Sequence, residues 1–169
     1  MRRAIFLAAA FALLPAATAA ATHSKMQALT VRGTVSQNCT LTTYALSFPT
    51  IGVGYIHPPN RPPVLAQSSL GVRCTKGSVV QIAMNAGLYG SLAGSQFGSR
   101  SMKSSDGKSY LGYDLCHDSA CTSTWSPAGY AYTSPSDAGS TLAVWGRIVT
   151  GQKANADSYT DSVTVTVSF

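Results

Sequence analysis

The last nine residues of the chain read DSVTVTVSF. Val163, Val165, Val167 and Phe169 alternate with Ser162, Thr164, Thr166 and Ser168. A period of two places the four apolar side chains on one face of a strand and the hydroxyls on the other, as in a strand with one buried and one wet face. Such a segment folds only within a sheet, because its backbone N–H and C=O groups need neighbours. With no turn and nothing after it, one side of this strand lacks an evident partner, and an unpaired apolar edge is normally an aggregation hazard.

At 169 residues the chain fits one domain of ordinary size. Residues 1–21 read as a secretory signal peptide: Arg2 and Arg3, an apolar stretch, then small residues suited to cleavage after Ala19 or Ala21. Nothing else in the chain is apolar and long enough to span a membrane. Without Arg2 and Arg3, ten basic residues stand against six acidic ones, a mildly basic balance of about +4. The Lys and Arg are scattered singly, which argues against a nucleic-acid partner. All six acidic residues are Asp, and helix formers are scarce outside the signal. Strand-like runs and turn residues recur every ten residues or so, the pattern of an all-β sandwich or barrel.

Four cysteines, Cys39, Cys74, Cys116 and Cys121, fit two disulfides in an oxidising compartment. Three pairings are open. The short separation of Cys116 and Cys121 suits a clip on a hairpin or its loop, which favours that pair together with Cys39–Cys74. No C-x-x-C spacing occurs and only His117 lies nearby, which argues against a metal site.

Along the chain, Leu29, Val31 and Val35 share one face of a leader that is polar at its start and runs toward a first strand ending near Cys39. A proline-rich stretch, HPPNRPP, reads as a loop unable to donate to a sheet. SSLGVRCTKGSVVQIAMNAG reads as two strands around a Lys76-Gly77 turn, with Val80, Ile82 and Met84 inward. Leu111, Tyr113 and Leu115 share a face in SYLGYDLC; STLAVWGRI is a further strand, ANADSY a turn, and TDSVTVTVSF the last strand.

Nothing in the chain points to catalysis. His23 lies in the leader, His57 in the proline-rich loop and His117 between cysteines, none in a recognisable motif. Ser105-Asp106-Gly107-Lys108 fits S-x-x-K formally, but the S-D-N and K-T-G partners are missing, so it reads as a surface turn. The glycine-rich stretch has no phosphate-loop pattern, and no cofactor is implied.

The sequence nonetheless resembles a known family. A cysteine near the first strand, then SLGVRCTKG, SRSM, YLGYDL, LAVWGRI and SYTDSVTVTVSF, resembles the spore coat protein U domain family, the pilin-like subunits of archaic chaperone/usher pili. The resemblance spans Leu29 to Phe169; its more specific parts are the Tyr159-Thr160-Asp161 turn and the Arg100 and Met102 pair before Tyr110. Two departures are local: Cys116 stands where the family often has Tyr, and Phe48-Pro49 where Phe-Gly is usual.

The resemblance implies an incomplete immunoglobulin-like β-sandwich over residues 36–169, lacking its final strand and completed by a donor strand from another chain. Val163, Val165, Val167 and Phe169 would form the acceptor edge. Implied partners are a periplasmic pilus chaperone, an outer-membrane usher and neighbouring subunits, reached by export to the periplasm and then the cell surface. Pattern and resemblance together assign the donor to the leader, residues 22–35, with Leu29 and Val31 entering a neighbour's groove and Val35 either joining them or belonging to the chain's own first strand. A different function on the same fold is a secreted carbohydrate-binding or tip adhesin module using Tyr110, Tyr113, Trp125, Tyr130, Tyr132 and Trp145 as stacking surfaces. A third is a coat or matrix protein that self-associates by the same edge.

Overall fold

The structure, a computed structural model, describes residues 25–169. The segment expected to be a signal peptide, His23 and the start of the expected leader lie outside them. Residues 25–34 carry no helix or strand and are exposed. No helix among the described residues is long and apolar enough to cross a membrane.

From Val35 onward the chain forms nine strands, one α-helical turn and a 3-10 turn at Ser95–Phe97. The strands and the α-helical turn are β1 (Cys39–Thr43), α1 (Val53–Ile56), β2 (Val64–Cys74), β3 (Val79–Met84), β4 (Arg100–Ser104), β5 (Tyr110–Cys116), β6 (Tyr130–Thr133), β7 (Ser140–Ile148), β8 (Tyr159–Thr160) and β9 (Val165–Ser168). Two antiparallel sheets result, a six-stranded one in the order β1-β2-β7-β5-β4-β8 and a three-stranded one in the order β6-β3-β9. Leu70 and Val72 of β2, Leu111 and Leu115 of β5, and Val144 and Ile148 of β7 meet Val80, Ile82 and Met84 of β3 in one core. Each such burial contributes roughly 1.5–3 kcal/mol. The all-β fold class read from the sequence is the one the chain adopts.

Three features differ in detail from the sequence reading. The first strand begins at Cys39 instead of ending near it, because Cys39 pairs directly with Cys74 and Thr43 with Leu70. β2 and β3 flank the Lys76-Gly77 turn, yet they lie in different sheets. The turn itself forms, with Gly77 at φ 80° and Ser78 N–H donating to Thr75 O at 3.0 Å, but it passes the chain across the core. The C-terminal run is also divided: Tyr159 and Thr160 pair with β4, whereas Val165 to Ser168 pair with β3. Between them Asn85 extends the second ladder, donating its N–H to Thr164 O at 3.1 Å and accepting Thr164 N–H on Oδ1 at 2.9 Å.

Candidate functional site

Strand β9 is an edge strand. Its one ladder runs to β3, from Gln81 opposite Ser168 to Met84 opposite Val165, and no described strand pairs with its other side. Along β9 and the residues before it, Val163, Val165 and Val167 are half-buried and pack against the core, while Ser162, Thr164, Thr166 and Ser168 are exposed. Phe169 is exposed.

Beside this edge lies a groove of about 1110 Å³. One wall is the run from Ala154 to Val165, and the other is the irregular segment 43–53 with α1. The floor is the core itself: Leu70, Met84, Met102, Leu111, Leu115, Val144 and Ile148 all line it. Val163 and Val165 border the groove, whereas Val167 and Phe169 lie beyond its end. The second wall is seated by Gly146 of β7, where an added Cβ would come within 2.6 Å of Phe48 and 2.7 Å of Leu46. Any larger residue there would push those side chains out of place. Sequence reasoning missed this wall, since Leu46, Phe48 and Ile51 sit in no strand and carry no alternation that ends in a turn.

A polar bolt holds the first wall. Asp161 sits where the chain passes from β8 to β9; its carboxylate accepts the Tyr113 hydroxyl at 2.8 Å and the backbone N–H groups of Leu88 and Ser162, each at 2.8 Å. Gly87, at φ 74°, lets the backbone approach this carboxylate, and a Cβ there would collide with it. Burial is the main cause that raises the Tyr113 phenol far above its ordinary range, with the bond to Asp161 adding to it. Arg100 is fully buried and donates to the carbonyls of Asn85 (2.9 Å), Met84 (3.2 Å) and Trp125 (2.9 Å), which tie the end of β3 to β4. Desolvation lowers its pKa, and nearby Tyr113, Asp114 and Asp161 oppose that shift. The two signatures singled out in the sequence, Tyr159-Thr160-Asp161 and Arg100 with Met102, therefore both belong to the frame of this groove.

The other sequence-selected residues fall as follows. Leu29, Val31 and Val35 are 88%, 84% and 86% exposed and lie in no strand. Cys39 is joined to Cys74, and Cys116 to Cys121. The first pair stands directly across β1 and β2 with Cα atoms 4.1 Å apart, a non-hydrogen-bonded position in which side chains lie closest. His57 Nε2 lies 2.9 Å from Ala154 O, and the His117 ring stacks on Trp125 at 3.9 Å between centroids. Among the described residues no cluster of three His, Cys, Asp or Glu could hold a metal ion. Ser105 bonds Asp157, and Lys108 N–H donates to Asp106, as in a turn. Of the six aromatic residues, Tyr113 and Trp125 are buried in the core and only Tyr130 is exposed, so they form no shared stacking surface.

Two antiparallel sheets over one core, with an open apolar groove at the last strand, define a β-sandwich of the pilin type. Residues 25–166 match the Spore Coat Protein U domain, and the chain belongs to that family. A comparison with curated proteins gives no match. Among solved structures the chain is similar to one in the CsuC–CsuE chaperone–tip adhesion subunit pre-assembly complex from archaic chaperone–usher Csu pili of Acinetobacter baumannii, with a TM-score of 0.58 and 26% identity. The likeness covers 80% of this chain and 41% of that one.

Proposed function

We propose that the protein is a structural subunit of a chaperone–usher-assembled surface pilus or coat and that it polymerises by donor-strand exchange. The observation that carries the reading is an apolar groove beside an edge strand with an unused hydrogen-bonding side: half-buried Leu46, Phe48, Ile51, Val163 and Val165 border it above the buried core. A strand laid along β9 would satisfy that edge and cover the groove at once. In the periplasm the strand comes first from a chaperone; at the outer-membrane usher it is replaced by the leader of another subunit. Leu29, Val31 and Val35, exposed and at odd-numbered positions with Gly33 in the gap, are the side chains offered. Three such burials contribute about 5–9 kcal/mol, comparable with the whole stability of a domain. The isolated subunit is therefore marginal, and head-to-tail exchange, which does not close, yields a filament. Family membership and the likeness to a chain of a chaperone–subunit complex support the same reading.

Size-exclusion chromatography with light scattering on the exported protein, expressed with and without a chaperone from the same source, tests it. Heat-resistant ladders or a one-to-one chaperone complex are expected. A stable monomer in both preparations would mean that the chain completes its own sheet.

A further inference from the structure

The base of the sandwich carries a loop whose stiffness strand exchange alone leaves unused. Residues 57–63, HPPNRPP, are exposed except for half-buried Pro58. They are nevertheless pinned throughout. The Tyr55 hydroxyl donates to Pro62 O at 3.0 Å, Thr150 Oγ1 accepts from Arg61 N–H at 3.3 Å and donates to Arg61 O at 3.1 Å, and the Arg61 guanidinium lies 5.3 Å from the Tyr55 ring centre. Four prolines remove further freedom. A surface ordered in advance loses little entropy on docking. This one adjoins the groove, because Val53 and Ile56 of α1, just before it, line the groove's end together with Ala154.

The leader's own pattern selects what lands there. Its start is polar and its apolar residues, Leu29, Val31 and Val35, lie toward the folded body. The groove follows residues 154–165 and stops short of Val167 and Phe169. The apolar half of a leader fills it, with the polar start projecting past Val165, only if the leader runs antiparallel to residues 159–168. Its body then emerges at the α1 end. Cys39, the first residue of β1, is four residues after Val35, a reach of at most about 14 Å. The donor's body must therefore abut the proline-rich loop. It arrives with the Thr75 turn foremost, since Thr75 N–H donates to Asn38 O at 3.0 Å beside the leader's exit. Beside that turn lies Asp137, between β6 and β7, whose carboxylate accepts Lys76 N–H at 2.6 Å and whose carbonyl accepts Arg73 Nε–H at 2.7 Å; docking would bring this carboxylate toward Arg61, which has no carboxylate partner among the described residues.

We propose that loop 57–63 with Tyr55 is the docking face for the body of a second copy of this chain, whose leader enters the groove antiparallel to residues 159–168; the inference rests on the strand-exchange reading above. The test places the photo-crosslinking residue p-benzoylphenylalanine at Pro59 or at Lys76 in the full exported chain. It also measures binding of a peptide of residues 22–38, which brings no body. The peptide is expected to bind the wild-type and Pro59→p-benzoylphenylalanine chains equally, and irradiation of the assembled Pro59 variant should link it to residues 36–38 or 75–78 of a second copy. If the peptide binds but position 59 gives no adduct, the docking face is wrong and the groove reading stands; an adduct joining position 76 of one copy to that of another would further show the opposite orientation. If the peptide does not bind the wild-type chain, the groove reading fails and the docking face with it.

Discussion

Strands β5 and β9 carry the same kind of apolar alternation and end in opposite conditions. Leu111, Tyr113 and Leu115 of β5 are 5–7% exposed, because β5 is paired with β4 on one side and β7 on the other and faces the second sheet. Val163, Val165 and Val167 point toward the same core, yet remain half-buried beside an unpaired edge. Residue type does not explain the contrast, since both runs are apolar on their inner face. The difference lies in the number of neighbours, and under the proposed strand exchange it separates residues that hold the fold together from residues that wait for a partner.

The comparison is sharpest in substitutions that shorten one side chain in each strand. Leu115→Ala is expected to cost about 2–5 kcal/mol in chemical denaturation, as for other buried leucines. Val165→Ala should cost about 1 kcal/mol there, and instead weaken binding of the 22–38 peptide more than it weakens the fold. Equal losses of stability at the two positions would erase the distinction between the strands.

The two disulfides set a second contrast. Cys39–Cys74 spans 35 positions and Cys116–Cys121 only 5. By chain entropy the first contributes about 3.8 kcal/mol and the second about 2.2 kcal/mol. Replacing both cysteines of each pair by Ser should reproduce that order in thermal melts. Tyr113→Phe cuts the bond from β5 to Asp161 that fixes the run leading into β9, with an expected cost of about 1.5–3 kcal/mol.

The smallest expected effect concerns pH. Burial holds the His117 imidazole below its ordinary range, with Asp118 opposing the shift. As pH falls, the unfolded chain takes up this proton before the folded one does. Stability fully present above about pH 6.5 therefore declines below it. His117→Gln should flatten that part of the stability profile, as read by melting temperature against pH.

Part of this organisation was legible in the sequence, for physical reasons. Alternation reports which side chains face inward, and so Val80, Ile82 and Met84 or Val163, Val165 and Val167 could be placed without coordinates. Alternation does not report which strand lies alongside, so the division of the C-terminal run between β4 and β3 was hidden, as was the separation of β2 and β3 into different sheets around a well-formed turn. The wall made by Leu46, Phe48 and Ile51 was hidden for another reason: it has no ladder, and its position depends on the missing side chain of Gly146. Arg100 gave no local sign of its burial, because the carbonyls it binds, on Met84, Asn85 and Trp125, are backbone groups that any residue could supply.

The central claim is that β9 has a free edge that accepts a strand. Its most direct test is amide hydrogen exchange across Val163 to Phe169 in a variant lacking residues 22–31, alone and with the 22–38 peptide. The account predicts rapid exchange at those amides of this run that face away from β3 in the variant alone, and marked protection of the same amides when the peptide is added. Slow exchange without the peptide, or no change on adding it, would contradict it.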